Sequence, residues 1–203
     1  MKIVLLGANG RTGRLVMRQA LDGGHSVTGL VRSDESLQDY RHDRLDIRIG
    51  DVSDPSFLEE VLPGHDAVIS TVGPRAPTRT ACRIYADSAV AIAQAMIATG
   101  VNRVLVTSTA LLFPPSGVFD HALRLLAKNN KNAAAVMEEV IREAGVDYTF
   151  ARAGFLNDDD DPSFRISKSA DALSRSISRA ALANFLVTEL ERSAHVRKVV
   201  GFC

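Results

Sequence analysis

Hydrophobic and polar positions along the chain alternate between a strand-like and a helix-like period. Short apolar runs typical of buried strands cover residues 2–6, 26–31, 45–49, 67–70, 103–107, 148–151 and 196–202. Between them, apolar positions recur with helical spacing, and the clearest stripes predict helices over residues 80–99, 131–144 and 179–191. This alternation predicts βαβ units, and therefore an α/β fold with a parallel sheet covered by helices on both faces.

The helical stripes also predict which side chains face the core. They are Tyr85, Ala89, Ile92, Ala93, Met96 and Ile97 in the first helix, Val136, Val140 and Ile141 in the second, and Leu182, Phe185, Leu186 and Leu190 in the third. Residues 112–118 and 155–175 break the pattern, as a loop and a polar excursion from the sheet. Both follow a strand, where loops line the ligand crevice of open α/β sheets, so both are substrate-side candidates; surface loops without function are the alternative.

Size and composition agree with one domain, and they bear on its partners and its cellular location. No repeat or linker divides the chain, so residues 1–203 are expected to form a single domain. The formal net charge is zero, which gives no electrostatic reason to expect nucleic acid or an anionic membrane as a partner. No apolar run approaches the roughly 20 residues that span a bilayer. Cys82 and Cys203 lie far apart, and with no apparent secretory signal they favour free thiols and a cytoplasmic location.

A glycine-rich segment joins the first predicted strand to the helix after it. Its sequence is Gly7-Ala8-Asn9-Gly10-Arg11-Thr12-Gly13. In this context the first glycine permits a tight turn, the second removes a Cβ that would block a phosphate, and the third lets helix and strand pack closely. Free N–H groups and the helix dipole then attract an anion. We therefore expect the whole segment to bind a pyrophosphate; a purely structural turn is the alternative.

The second predicted strand ends in a basic residue. Arg32 follows Val31, about 20 residues beyond the glycine loop, where a dinucleotide fold places the adenosine ribose. An acidic residue there would accept hydrogen bonds from both ribose hydroxyls, whereas a guanidinium matches a 2′-phosphate. Arg32 therefore predicts a preference for NADP(H) over NAD(H), with Ser33 and Arg11 as additional partners. A solvated surface arginine is the alternative.

Two further strand ends supply candidate cofactor contacts. After the third strand, Asp51 is placed to accept from an adenine amino group while Val52 packs on the ring; alternatively, Asp51 caps the next helix. After the fourth strand come Thr71, Val72 and Gly73. These residues are small enough for a ribose and a nicotinamide to lie close to the backbone.

Together with later motifs, these segments resemble the atypical short-chain dehydrogenases. The matching stretches are the glycine loop, Val31-Arg32, Gly50-Asp51-Val52, Thr71-Val72-Gly73 and residues 104–108, 146–156 and 177–183. The branch that the chain resembles comprises the NmrA-like proteins and the NAD(P)H-binding biliverdin or flavin reductases. The resemblance covers nearly the whole chain. It implies a Rossmann-type doubly wound sheet, a nicotinamide near Ser108, and further cofactor contacts from Ala153, Gly154 and Phe155.

The chain departs from this family at one catalytic position. In ordinary short-chain dehydrogenases a serine polarises a carbonyl, and a tyrosine activated by a lysine four residues later passes the proton. Ser108 matches the serine and Lys131 lies in a suitable helix, but Ala127 occupies the tyrosine's place. The chain's tyrosines are expected elsewhere, Tyr40 and Tyr85 in other helices and Tyr148 in a strand. The acid that would reduce a simple ketone is therefore missing.

This gap leaves two main functions open. Hydride transfer to a flavin, quinone or linear tetrapyrrole needs no tyrosine, because the product anion is delocalised and water supplies the proton. An NADPH-dependent reductase of such a small molecule is the first hypothesis, with Ser108 orienting the nicotinamide or the acceptor. The alternative is a non-catalytic NADP(H)-binding regulator that reports redox state to a protein partner, as NmrA-like proteins do. An epimerase or dehydratase is a weaker third hypothesis.

Two remaining features bear on partners and metals. The apolar helix over residues 80–99 suits either a core or a dimer face, so a homodimer remains open. Residues 158–161 are four consecutive carboxylates, but such runs are mostly solvated loops, and no metal site is expected.

Overall fold

The computed structural model describes residues 1–33, 40–115, 118–167 and 176–202, without the side chains of residues 118–120. Its strands are β1 (Lys2–Leu6), β2 (Ser26–Val31), β3 (Leu45–Ile49), β4 (Ala67–Ser70), β5 (Arg103–Thr109), β6 (Asp147–Ala153), β7 (Phe155–Asn157), β8 (Ile166–Ser167), β9 (Ser176–Ser178) and β10 (Lys198–Phe202). Its helices are α1 (Arg11–Asp22), α2 (Pro55–Val61), α3 (Arg79–Thr99), α4 (Val118–Leu126), α5 (Lys128–Glu143) and α6 (Arg179–Arg192), with a 3₁₀ turn at Ala110–Leu112.

The main sheet has the strand order β3-β2-β1-β4-β5-β6-β10-β8. Its neighbours are parallel, except that β8 runs antiparallel to β10. The strand order reverses between β1 and β4, where Leu6 lies level with Leu30 of β2 and Ser70 of β4. In doubly wound sheets, ligands bind at the carboxyl ends of the strands beside such a reversal. The predicted doubly wound, Rossmann-type fold is confirmed.

Side chains of β1 alternate between two buried clusters on the two faces of the sheet. Ile3 and Leu5 pack in the cluster that includes residues of α1 and α6. Val4 and Leu6 pack in the cluster that includes residues of α2, α3 and α5. This double burial explains why the strands are nearly continuous apolar runs rather than alternating ones.

The predicted strands are all present, with shifts of one or two residues at some ends, whereas two predicted core positions are wrong. Ile97 of α3 is 66% exposed and Val136 of α5 is 45% exposed. Each lies next to a buried methionine, Met96 and Met137 respectively. Successive residues of a helix are about 100° apart around its axis, so a narrow contact face buries one of the two neighbours and leaves the other in solvent.

The polar excursion predicted over residues 155–175 contains short strands. β7 pairs in parallel with β9 to form a separate two-stranded sheet, and β8 extends the edge of the main sheet. Part of this prediction falls on residues 168–175, part of the loop prediction on residues 116–117, and Cys203 at the chain end; all lie outside the described residues. The remaining cysteine, Cys82, is a buried free thiol whose pKa is raised by burial. In the described ranges, no helix is both long and apolar enough to cross a membrane.

Candidate functional site

A cleft of about 830 Å³ opens at the carboxyl ends of the strands next to the reversal. Its walls come from the glycine loop after β1, the end of β2, the residues after β3 and β4, and the first turns of α3. Of the residues predicted to contact a cofactor, nine line it: Gly7, Asn9, Gly10, Arg32, Ser33, Val52, Thr71, Val72 and Gly73. The structure therefore brings together side chains and backbone from four separate strand ends.

Two glycines of the loop, Gly7 and Gly13, leave no room for a side chain. Gly7 has a φ of +80°, a left-handed conformation that favours glycine. A Cβ on Gly13 would lie 2.1 Å from the carbonyl oxygen of Gly7, and one on Gly10 would lie 3.2 Å from the same atom. Gly13 is thus required for close packing of α1 on the loop, and Gly10 keeps the loop surface bare where it lines the cleft.

The first turn of α1 is open to an anion. Its N-cap is Gly10, and no side chain caps the helix, whereas Asp54, Thr78 and Ser178 cap α2, α3 and α6. The first N–H groups of a helix have no partner within the helix, and here no cap side chain accepts from them. Together with the bare surface at Gly10, this arrangement fits the diphosphate of a dinucleotide.

Other members of the predicted loop have different surroundings. Ala8 and Gly13 are buried and Thr12 is half-buried. Arg11 lies outside the cleft walls, because its Nη1 donates to Asp158 Oδ2 at 2.7 Å. The other oxygen of Asp158 accepts from Arg179 at 2.6 Å. The structure therefore gives Arg11 a carboxylate partner in the excursion after β7, and leaves Arg32 at the cleft as the candidate for a 2′-phosphate.

Asp51 does not cap the helix after β3. Its Oδ1 accepts from the backbone N–H of Ser53 at 2.9 Å, in a turn that precedes the helix. The N-cap is Asp54, whose Oδ1 accepts from the N–H of Ser56 at 2.9 Å. The alternative that Asp51 caps α2 is therefore wrong, because the cap is Asp54, the residue directly before the helix, and Asp51 lies three residues earlier. Asp51 is exposed, and its neighbour Val52 lines the cleft.

Thr71 ties the end of β4 to the glycine loop. Its hydroxyl lies within hydrogen-bonding distance of the carbonyl oxygens of Leu6, at 3.1 Å, and Gly7, at 3.3 Å. This contact holds the two strand ends that form the cleft at a fixed distance. Val72 and Gly73 continue the wall beyond it.

Ser108 donates its hydroxyl proton to a buried carboxylate. Its Oγ lies 2.6 Å from Oε1 of Glu138, a residue of α5 whose side chain is 2% exposed. Arg152 lies opposite Ser108 in the β5–β6 register and donates to both oxygens of Glu138, at 2.9 and 2.6 Å. The ring of Phe113 covers the Arg152 guanidinium at 4.9 Å. The result is a Ser–Glu–Arg network beside the carboxyl end of β5, and the more exposed Arg142 lies 3.6 Å from Oε2 of the same carboxylate.

This network determines what Ser108 can do. A carboxylate held by a guanidinium only accepts hydrogen bonds, so the single hydroxyl proton of Ser108 is directed at Glu138. The serine still offers lone pairs, but it has no proton for polarising a carbonyl. Sequence reasoning missed Glu138, because the exposed Glu139 lies next to it and the sequence does not distinguish the two.

Ser108 and the other residues predicted for catalysis or for the nicotinamide side do not line the cleft. Lys131 is half-buried on α5, seven residues before Glu138. Ala153 is buried at the end of β6, Gly154 follows it, and Phe155 is exposed on β7. In the described part of the chain, no cluster of three or more His, Cys, Asp or Glu residues could hold a metal ion.

Comparisons with known proteins agree with this geometry. A model of the NAD(P)H-binding family matches residues 7–193. The fold resembles the oxidoreductase YlbE from Lactococcus lactis (TM-score 0.83, 22% identity, 100% of this chain and 90% of that one). It also resembles a predicted NADH-flavin reductase from Streptococcus pneumoniae (TM-score 0.78, 23% identity, 100% and 98%). At these identities the two structures show the fold alone.

Two relatives found by sequence are longer than this chain. The photosystem II assembly factor Ycf39 of Guillardia theta is 28% identical over 164 residues, which are 77% of this chain and 47% of that protein. A chloroplastic protein of Arabidopsis thaliana is 29% identical over 217 residues, 98% of this chain and 75% of its own length. The chain thus spans about half the length of the Guillardia relative. The family match covers most of the chain, including the glycine loop and the ends of β2 and β4, and the chain belongs to the NAD(P)H-binding family.

Proposed function

We propose that the chain is an NADPH-dependent reductase that transfers hydride to a conjugated small molecule, with a flavin as the first candidate. The observation that carries this proposal is the hydrogen bond from Ser108 to Glu138. A dehydrogenase of simple carbonyls needs a serine that donates to the substrate and a tyrosine that supplies a proton. Here the serine's proton is committed, and Lys131 has alanine in the tyrosine's place. Both facts favour an acceptor whose reduced anion is stabilised by delocalisation.

The chain's own residues would hold the cofactor in the cleft. The first turn of α1 and the bare surface at Gly10 bind the diphosphate, Val52 packs against the adenine, and Arg32 binds the 2′-phosphate. Thr71 keeps the loop in position, and Ser108 accepts a hydrogen bond at the nicotinamide side. When bound, the reduced nicotinamide supplies the hydride, and water supplies the proton that the acceptor takes up. A cytoplasmic location is part of this proposal.

Turnover is the test of the reductase. The purified chain should oxidise NADPH when flavin mononucleotide or a soluble quinone is added, and should not reduce a simple ketone. Steady-state absorbance at the NADPH band measures both rates. Tight NADPH binding without turnover of either conjugated acceptor would contradict the reductase.

A redox-sensing regulator is the second candidate. It is favoured by the similarity to Ycf39, which is named as an assembly factor rather than an enzyme. A regulator of this kind should capture a protein partner from cell extract in a way that changes when NADPH is replaced by NADP⁺. If the same proteins are captured with either cofactor form and with none, the regulator is contradicted.

Replacing Arg32 by alanine should weaken NADPH binding about 10- to 100-fold and leave NADH binding nearly unchanged. The exposed guanidinium lies at the cleft and would pair with the 2′-phosphate that NADH lacks. Charge-assisted hydrogen bonds of this kind contribute about 1.5–3 kcal/mol. Calorimetric titration of both cofactors measures the ratio. Arg48→Ala is the matched control, because Arg48 is an exposed arginine on β3 outside the cleft walls. Equal losses for NADPH and NADH would contradict this role of Arg32.

A further inference from the structure

A tyrosine hydroxyl lies close to a glycine of the cleft wall. Tyr85 lies in the second turn of α3, is 8% exposed, and packs its ring in the buried cluster under β4 and β5. Its hydroxyl oxygen is 3.6 Å from the point where a Cβ on Gly73 would stand, and Gly73 lines the cleft. Within the described ranges this hydroxyl has no hydrogen-bond partner. Tyr85 is not itself one of the residues that line the cleft, and position 73 carries no side chain that would cover its hydroxyl.

The surroundings keep this hydroxyl in its proton-bearing form. Burial raises the pKa of Tyr85 to about 12, and the Cys82 thiol adds to the shift. A neutral phenol at this position is a hydrogen-bond donor throughout the neutral pH range. Because this donor has no partner within the described part of the protein, an oxygen atom of a ligand in the cleft would be a suitable acceptor for it.

We propose that Tyr85 donates a hydrogen bond to an oxygen atom of the ligand that lies against Gly73. The inference rests on the proposed function, since it needs a ligand in this cleft. Two sources offer such an oxygen: the ribose and phosphate groups of the dinucleotide, and a carbonyl of the flavin or quinone acceptor. Tyr85 thereby places a phenol at the cleft from a helix other than the one that carries Lys131.

Two substitutions remove the donor in independent ways. Tyr85→Phe deletes the hydroxyl and keeps the ring in the core. Gly73→Ala keeps the hydroxyl and covers it, because the new methyl group would meet the oxygen at 3.6 Å, an ordinary van der Waals distance. Each should weaken ligand binding roughly 3- to 10-fold, the loss expected for one neutral hydrogen bond. Tyr148→Phe is the matched control, since Tyr148 lies on β6 outside the cleft walls and its hydroxyl accepts from Arg142 of α5.

The probes distinguish the two oxygen sources. NADPH and 2′-phospho-ADP-ribose are titrated by calorimetry, and the acceptor KM and kcat are measured with flavin mononucleotide. A loss shared by both titrations assigns the bond to the ribose-phosphate part that they have in common. A loss for NADPH alone assigns it to the nicotinamide half, and a change confined to the acceptor's KM or kcat assigns it to the acceptor. Thermal denaturation of each variant shows that the fold is retained.

The inference is overturned if Tyr85→Phe matches the wild-type chain in every titration and in acceptor kinetics. It is also overturned if Tyr85→Phe weakens binding while Gly73→Ala does not, because access past Gly73 is then not needed. If the wild-type chain binds neither NADPH nor 2′-phospho-ADP-ribose, the proposed function fails instead. The two failures are therefore separable.

Discussion

Replacing Glu138 by alanine should lower the free energy of unfolding by about 3–5 kcal/mol, the usual cost of breaking a buried ion pair from one side. The Arg152 side chain is only 16% exposed, and it would keep its charge without its bidentate partner. The Ser108 hydroxyl would lose its acceptor at the same time. Denaturant unfolding followed by far-UV circular dichroism measures the difference.

The neighbouring residue provides the matched control for this change. Glu139 has the same side chain on the same helix but is exposed, so Glu139→Ala should shift the midpoint little. Replacing both buried partners, as in Glu138→Leu with Arg152→Met, should recover much of the lost stability, because the only charge left without this partner is that of Arg142, which is half exposed. If Glu138→Ala and Glu139→Ala unfold at the same denaturant concentration, the Ser–Glu–Arg network has no stabilising role.

Replacing Gly10 by alanine should weaken NADPH and NADH binding equally, by roughly 100-fold, with little effect on folding. The new Cβ would lie 3.2 Å from the Gly7 carbonyl oxygen, a tight contact that the loop can relieve by a small shift. The methyl group would then occupy the bare surface at the start of α1 and lengthen the hydrogen bonds to a diphosphate. Calorimetry with both cofactors tests this, and a change in the NADPH to NADH ratio would contradict it.

At Gly13, three residues further along the chain, the same substitution should affect the stability of the fold. A Cβ there would lie 2.1 Å from the Gly7 carbonyl oxygen, which forces the backbone to move. Gly13→Ala should therefore destabilise the fold by about 1–3 kcal/mol or more through overpacking. A Gly13→Ala chain as stable as Gly10→Ala would show that the helix does not need to pack this closely.

The features that the sequence predicts well are local. The inner strands β1 and β4 are nearly continuous apolar runs because they are buried on both faces, whereas the edge strand β3 is largely exposed. The glycine loop is recognisable because its three glycines fall between a strand and a helix. Arg32, Val52 and Thr71–Gly73 come together because the carboxyl ends of neighbouring parallel strands lie at one edge of the sheet. These contacts follow from the parallel sheet topology, which the alternation of strand-like and helix-like hydrophobic periods predicts.

The features that the sequence did not predict depend on side chains distant in the chain. Ser108 was matched to a carbonyl-polarising serine, but its partner Glu138 lies 30 residues away and reverses what the hydroxyl can offer. Arg11 was placed near a ribose phosphate, but Asp158, 147 residues away, pairs with it. Tyr85 was set aside because it was expected in a helix other than the one that carries Lys131. None of these contacts has a periodic or motif signature.

A crystal structure of the chain grown with NADPH is the most direct test of the central claim, that the cleft beside the β1–β4 reversal is the cofactor site. The account predicts the diphosphate at the first turn of α1 against Gly10, and the 2′-phosphate within hydrogen-bonding distance of Arg32. A dinucleotide bound with its diphosphate elsewhere, or a folded chain that takes up no NADPH at saturating concentration, would contradict it.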